Sequence, residues 1–331
     1  MKARLVAAAK FLLGLALLIA IVVWLVPGPD ERRELAARAR LDVVYLLLGL
    51  VSTFVASVVT SARWQLMAED TMGGTRLPYL VYFHSLVLTR VLGQVSSTLV
   101  MDLVGRGMAL RSAGSQRGLG HAVTQAVLER IFDIVLPVMM LAWAALAWRG
   151  GWSQGLALAS FAGVCLAFAA LAAVLLAPLT RLALASYAAL RRLRARVRRQ
   201  PPIAEPVPEA IPIPTSLAVK IGLLSLARYL SVLLQFWTVA AAVGVAFGFF
   251  QIAAATPVGQ LAGMAGFTPG ALGIQEAGWV GAFKWVGVDA VAIGLFVLSQ
   301  RLVITAYFSL LSLISWLMLR RTRAPAGPPA T

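Results

Sequence analysis

Apolar residues are grouped in long uncharged runs that alternate with short basic or Pro- and Gly-rich stretches. One such run, residues 43–62, contains 20 residues, and a helix of about 20 apolar residues crosses the hydrocarbon core of a bilayer. The pattern predicts an all-α polytopic membrane protein, with residues 1–331 forming a single transmembrane domain. Further crossings are predicted at 121–148, 155–177, 216–247 and 289–319.

The first 40 residues combine an apolar run with a segment of mixed charge. The uncharged run 11–26 follows three basic residues, as in a signal peptide, but no small-residue cleavage site follows it. We therefore favour a retained anchor helix over a cleaved signal. Residues 30–40 carry charges of both signs and are predicted to form a short helix at the membrane interface.

Two apolar segments are predicted to be broken and re-entrant. Residues 79–104 contain Arg90, the polar stretch 94–98 and Asp102, which a straight lipid-facing helix would expose to hydrocarbon. Residues 250–287 begin inside an uncharged stretch of 47 residues, which as one helix would be about 70 Å long, more than twice the thickness of the core. Irregular backbone at membrane depth is tolerated only where protein or a polar cavity shields it. We therefore expect both segments to turn back inside a bundle.

The order of these elements occurs twice. Residues 41–177 hold a crossing, a broken segment, a second crossing and a linking crossing, and residues 215–319 repeat the first three with inverted orientation. Residues 178–214, with seven arginines at 181–199 and a Pro-rich stretch, are predicted to form the connecting loop, and residues 320–331 a tail. We predict an inverted-repeat helix bundle, a transporter arrangement in which half-helix ends point at a polar substrate group near the midplane.

The chain carries 29 Lys and Arg against 13 Asp and Glu, a net charge of +16. Because 60% of the residues are hydrophobic and the basic residues lie mostly between apolar runs, this excess indicates membrane orientation and not nucleic-acid binding. We expect a multi-pass protein of the plasma (inner) membrane with both termini and the 178–214 loop in the cytoplasm, and we assign Arg63 to that side as well. The arginines at 181–199 either set topology alone or also bind anionic lipid headgroups or a partner.

Several charged residues fall inside apolar runs. Arg228 and Arg301 are predicted near mid-membrane, where an arginine costs about 2.5–3.5 kcal/mol on insertion scales, so each is expected to face a polar cavity and a carboxylate partner. Arg301 and Glu276 form either part of such a cavity or a buried structural ion pair. The cluster 129–133 places Glu129, Arg130 and Asp133 on one helical face, either in the cavity or at a solvated helix entrance.

These motifs resemble those of a known family. The segment Thr268–Ala277, with Arg301, resembles the closing signature of the flippase-like family that includes the membrane region of lysylphosphatidylglycerol synthases and the hopanoid-associated flippases. The segment Glu129–Asp133 resembles the ERxxD motif of that family, and the segment from Gly93 through Asp102 to Arg106 resembles its first re-entrant motif. The resemblance implies a transporter that moves an anionic or polar-headed lipid, such as a phospholipid or a polyprenyl-linked or hopanoid-type lipid, between leaflets.

The predicted substrate site combines arginines for a lipid phosphate with acids and hydroxyls around them. Its members are Gln94, Ser97, Asp102, Arg106, Glu129, Arg130, Asp133, Arg228, Thr268, Pro269, Gly270, Gly273, Glu276 and Arg301, with Arg90 as a further arginine. Ser97 and Thr268 are expected to donate uncharged hydrogen bonds to the substrate.

The sequence predicts no catalytic residue, metal or cofactor. Cys165 is the one cysteine, and His84 and His121 are the two histidines, too few for a disulfide or for a zinc or haem centre. Two other functions stay open. One is a membrane enzyme that acts on lipid-linked phosphate or sugar through the acids Asp102, Glu129, Asp133 and Glu276. The other is an accessory or scaffold subunit of a lipid or envelope biosynthesis pathway. A homo-oligomer or a biosynthetic partner is compatible with the sequence.

Overall fold

The computed structural model describes most of the chain, and its described residues form helices and no strand. Most of the predicted anchor helix lies outside the described residues, so that helix stays a prediction. The described residues are 16, 19–21, 23–24, 28–71, 76–96, 100–112, 119–198, 213–266 and 268–322.

Ten α-helices, numbered here in chain order, make up the described bundle. They are α1 (Pro29–Arg38), α2 (Val43–Leu66), α3 (Tyr79–Val95), α4 (Arg106–Ser112), α5 (Leu119–Arg149), α6 (Gln154–Arg198), α7 (Thr215–Ala242), α8 (Phe249–Ala265), α9 (Ile274–Trp285) and α10 (Ala290–Thr322). Two π-helical turns, Met67–Thr71 and Met101–Gly105, and one 3-10 turn, Pro269–Ala271, connect them locally.

Within the described part of the chain, five helical stretches are long and apolar enough to cross a membrane, which confirms the predicted polytopic all-α class. Each contains at least 22 residues, and their mean hydropathy is high. They are Val43–Glu69, Leu128–Arg149, Gln154–Leu182, Thr215–Ala242 and Ala290–Arg321.

Helix α6 is longer than its sequence pattern predicts. It contains 45 residues, so it extends about 68 Å and projects well beyond a hydrocarbon core of about 30 Å. The arginines from 181 to 198 therefore lie on a helix, and the prediction that they belong to a loop is wrong. Their neighbours are mainly Ala and Leu, and this stretch of good helix formers meets no proline before Pro201.

Both predicted broken segments are helices interrupted by non-helical backbone. In the first, α3 ends at Val95, and Asp102 follows in a π-helical turn before α4. In the second, α8 and α9 are separated by a tight turn in which Gly270 and Gly273 have φ angles of +59° and +82°. That left-handed region is readily available only to glycine. Whether both segments enter and leave on one side of the membrane stays a prediction.

The two halves interlock in a reciprocal way. Helix α3 of the first half packs on α10 of the second, α8 of the second half packs on α5 of the first, and α2 and α7 lie along each other. This exchange of partners is what an inverted repeat would produce.

The α2 helix comes very close to its neighbours at Gly49, where a Cβ atom would lie 2.9 Å from the Tyr307 hydroxyl.

An aromatic core fixes the second broken segment. The ring of Trp279 on α9 stacks on Phe283, with 5.7 Å between centroids, and meets Phe236 edge to face at 4.6 Å. Helix α8 presents Gly259 to this ring, and a Cβ atom there would lie 2.2 Å from Trp279 Cε2. Close backbone approach at small residues is typical of helix packing in membranes, and here it joins α8 and α9 into one rigid pair.

Candidate functional site

A cavity of about 180 Å³, with charged, amide and apolar groups in its wall, lies inside the bundle. Its walls come from α2, α3, α5, α7, α8, α9 and α10 and from the breaks of both interrupted segments. A water molecule requires only about 10–15 Å³ by this type of measure, so the cavity has room for several waters or for a small polar headgroup. Four arginines, two aspartates and five glutamines contribute to its lining.

Asp102 lies at the centre of an arginine-rich group on one side of this cavity. One Asp102 oxygen lies 2.6 Å from Arg130 Nη2 and 3.5 Å from Arg90 Nη1, and the other lies 3.3 Å from Arg106 Nη2. The carboxylate belongs to the π-helical turn after the first break, which brings it within reach of both α3 and α5. A single buried acid therefore contacts three guanidinium groups.

Two further acids on α5 extend this group. Asp133 accepts from Arg63 at 2.8 Å and from Arg228 at 3.0 Å. Glu129, one helical turn earlier on the same face, accepts from Arg106 at 2.7 Å and lies 3.5 Å from Arg63 Nη2. We call these three acids and the five arginines that contact them the cationic cluster. Its members are Asp102, Glu129, Asp133, Arg63, Arg90, Arg106, Arg130 and Arg228.

Within the described residues, no three His, Cys, Asp or Glu side chains are grouped so that they could hold a metal ion.

Arg301 and Glu276 form a separate ion pair beside the second break. Glu276 lies in the first turn of α9, where a carboxylate is favoured by the helix dipole, and it accepts from the backbone N–H of Gly273 at 2.6 Å. Its other oxygen accepts from Arg301 Nε at 2.7 Å. The Glu276 side chain is fully buried, whereas Arg301 reaches the cavity with 17% of its side chain exposed.

The breaks of the two halves meet at Arg301. Its Nη1 donates to the carbonyl of Gly270 at 2.9 Å and to Oε1 of Gln94 at 3.2 Å. The N–H of Gly270 also donates directly to the carbonyl of Ser96, at 2.9 Å. One guanidinium group and one backbone hydrogen bond thus connect the two interrupted segments.

The predicted site residues divide into two groups by position. Arg228 and Arg301 each contact an acid and line the cavity, as expected. Glu129 is only 3% exposed, so the alternative that the cluster 129–133 forms a solvated helix entrance is wrong. The cavity lining includes Gln94, Asp102, Arg130, Asp133, Arg228, Gly270 and Arg301, together with Arg90. The residues Arg106, Glu129, Thr268, Pro269, Gly273 and Glu276 lie behind that lining.

Thr268 does not have the position expected of a substrate ligand. Its hydroxyl is fully buried and donates to the carbonyl of Leu272 at 2.8 Å, so it stabilises the tight turn that presents Gly270. Pro269 and Gly273 shape the same turn. Ser97, the other predicted hydroxyl donor, lies outside the described residues.

These interrupted helices and buried ion pairs lie within a region that matches a known family. The family model described as the lysylphosphatidylglycerol synthase TM region matches residues 11–312. The chain belongs to this family. The match includes both interrupted segments, the cationic cluster and the Arg301–Glu276 pair, and it confirms the resemblance found in the sequence. No curated protein matched the chain.

In this family member, the sequence pattern missed Arg63. It follows the uncharged run 43–62 directly and was assigned to the cytoplasmic side, but its side chain is 0% exposed and contacts two acids. A signal was present in α2, where hydroxyl residues recur on the face that leads to Arg63. They are Ser52, Thr53, Ser57, Thr60 and Ser61, all buried, and each donates to the carbonyl four residues earlier.

The sequence pattern also missed the amide groups of the cavity. Gln235 Nε2 donates to Thr53 Oγ1 at 2.7 Å, which joins α7 to α2. Gln260 has no hydrogen-bond partner on either carboxamide atom, and Gln300 has none on Nε2, although both residues are at least nine-tenths buried. An unpaired buried amide costs about 1–3 kcal/mol, so these side chains are unusual in an apolar bundle.

Proposed function

We propose that this protein moves a lipid with a phosphate-bearing headgroup between the leaflets of the plasma membrane. The observation that carries the proposal is a single cavity, inside a bundle of five candidate spans, that is lined by Arg90, Arg130, Arg228 and Arg301. Guanidinium groups bind phosphate through paired, charge-assisted hydrogen bonds. The cargo is an anionic or polar-headed lipid such as a phospholipid or a polyprenyl-linked or hopanoid-type lipid, and membership of a lipid-related membrane family supports this class.

The acids of the site have a definite part in this mechanism. With no lipid bound, each arginine that lines the cavity contacts a carboxylate, Arg90 and Arg130 that of Asp102, Arg228 that of Asp133 and Arg301 that of Glu276. An arriving phosphate competes with these carboxylates for the guanidinium groups. Because Arg301 contacts both breaks, a phosphate that draws it away from Gly270 and Gln94 loosens the connection between the halves. That loosening is the step we assign to exchange between the two sides of the membrane.

We further propose that both termini are cytoplasmic. The exposed side chains of Arg181 and Arg192 on α6 then lie near anionic headgroups on the cytoplasmic side.

Lipid movement in reconstituted vesicles tests the function. The purified protein is inserted into vesicles with a fluorescent phospholipid, and a membrane-impermeant quencher measures how fast the inner-leaflet probe reaches the outer leaflet. We expect wild type to accelerate transfer and Arg301→Ala to reduce transfer to the rate of protein-free vesicles. Arg38→Ala, which removes an arginine from the half-exposed ion pair with Asp289, serves as a matched control and should match wild type.

Loss of folding must be separated from loss of transport. Arg301→Ala leaves the Glu276 carboxylate buried without its arginine, which is costly. The double variant Arg301→Ala with Glu276→Gln removes that charge, and its elution and thermal unfolding in detergent report whether it is folded. Wild-type transfer by a folded double variant would refute the proposal.

A further inference from the structure

The cationic cluster is not electrically neutral. Five guanidinium groups share three carboxylates, which leaves a net charge of +2, because arginine stays protonated in proteins. The Arg301–Glu276 pair is neutral by itself. Counting only the charged groups that line the cavity gives the same excess, with four arginines against two aspartates.

This excess charge is buried. The arginine side chains of the cluster are between 0% and 22% exposed, and Arg90 is the most exposed of them. Arg90 is also held loosely, since its contact with Asp102 is 3.5 Å long. Uncompensated charge in an apolar interior is strongly unfavourable, so the cavity favours an anion, and two negative charges would neutralise it.

Two residues in the wall of the same cavity carry unpartnered amides. Gln260 and Gln300 each have an Nε2 group without an acceptor, and both side chains belong to the cavity wall together with Arg301. A phosphate monoester offers three terminal oxygens and carries a charge of about −1.5 to −2 near pH 7. A phosphodiester carries one negative charge and offers two such oxygens. The charge excess therefore favours the more highly charged group.

We propose that the cavity selects a lipid headgroup with two negative charges, either a terminal phosphate monoester or a diphosphate linkage, over a singly charged phosphodiester. This inference rests on the proposed lipid transport, because it assigns the cavity to a lipid cargo. Arg90 is then the specificity-determining residue. Its side chain supplies the removable charge, while Asp102 keeps Arg106 and Arg130 as partners when Arg90 is absent.

Binding in detergent tests the inference without any transport step. The probes are phosphatidic acid, a phosphate monoester, and phosphatidylmethanol, the diester with the same acyl chains. We expect wild type to bind the monoester about tenfold more tightly at about pH 7.5, a factor equal to about 1.4 kcal/mol. Arg90→Gln should bring this preference close to one, whereas Arg38→Gln, which removes a charge outside the cavity, should keep it. Equal affinities for the two lipids in wild type would overturn the inference.

The pH dependence of wild type gives a second test that requires no variant. The second phosphate pKa of the monoester is near 6, so lowering the pH to about 5 leaves it with one charge and should abolish its preference. The diester keeps one charge at both pH values and meets the same charged groups, Arg90, Arg130, Arg228, Arg301, Asp102 and Asp133, so any change in its own affinity measures the effect of titrating the protein. A preference that persists unchanged at the lower pH would contradict the charge argument.

Soluble anions distinguish a lipid headgroup from free phosphate. We expect inorganic phosphate or pyrophosphate, at the concentration of the lipid, to displace bound phosphatidic acid poorly, because neither fills the apolar part of the wall near Ile304 and Phe308. Displacement by free phosphate at equal concentration would overturn the assignment to a lipid. Wild type that transports both lipids equally contradicts this inference alone, whereas clear selectivity in binding without any transport contradicts the proposed function alone.

Discussion

Replacing Gly270 by alanine places a methyl group at the point where the two interrupted segments meet. The added Cβ would lie 2.8 Å from Arg301 Nη1, 3.0 Å from the carbonyl oxygen of Gln94 and 3.1 Å from its Oε1. The backbone at Gly270 has a φ angle of +59°, and left-handed backbone costs a non-glycine residue about 1–2 kcal/mol. Displacing Arg301 also weakens hydrogen bonds to a charged group, worth about 1.5–3 kcal/mol. Together these effects predict a loss of about 2.5–5 kcal/mol in the free energy of unfolding.

Thermal unfolding of the purified variant in detergent measures this loss, and the vesicle assay measures lipid transfer. Gly281→Ala is the matched control, because it lies in α9, has no atom within 4 Å of its added Cβ, and does not have a positive φ angle. The control should be neutral or slightly stabilising, since alanine is the better helix former. If Gly270→Ala were as stable and as active as the Gly281→Ala control, the contact between the two breaks would not have the importance assigned to it.

Three further substitutions test separate parts of the structure. Gly259→Ala drives a Cβ atom against the ring of Trp279, and overpacking of this kind costs about 1–3 kcal/mol, measurable as a lower unfolding temperature; an unchanged temperature would contradict the close packing of α8 on α9. Gln260→Leu removes a buried carboxamide without partners, so it should stabilise the protein by about 1 kcal/mol while weakening phosphatidic acid binding. A destabilised variant would show that the amide has a partner. Asp102→Asn leaves three arginines without their shared acid and should cost about 3–5 kcal/mol, clearly more than Arg90→Gln in the same unfolding experiment; equal losses would refute the sharing.

The spans and the breaks could be predicted from the sequence because each follows from local composition. Apolar runs of sufficient length give the five crossings, and glycines at Gly270 and Gly273 mark where the chain leaves helical geometry. Arg228 and Arg301 were recognisable because a charge within an apolar run needs a partner. Which acid each arginine contacts was harder, since Asp133 and Arg228 are 95 residues apart and meet only through packing of α5 on α7.

The remaining errors arise at helix ends, where the uncharged run stops before the helix does. Arg63 directly follows an uncharged run, so a boundary drawn at the first charge places it beyond the membrane span, on the cytoplasmic side. Helix α2 instead continues to Leu66 and carries Arg63 into the bundle. The arginines of α6 were assigned to a loop because charge ends a membrane span, yet charge does not end a helix. The glutamines were overlooked because a single neutral amide leaves the hydropathy of its helix almost unchanged.

Every acid of the cationic cluster serves at least two arginines, and this sharing constrains how the site can evolve. A lineage that first loses one arginine keeps each acid neutralised by another, so the intermediate remains viable and a later change can follow. A lineage that first loses an acid removes a contact from two or three arginines at once and raises the buried net positive charge by one. Substitutions in descendants should therefore accumulate at the arginines before they reach Asp102, Glu129 or Asp133.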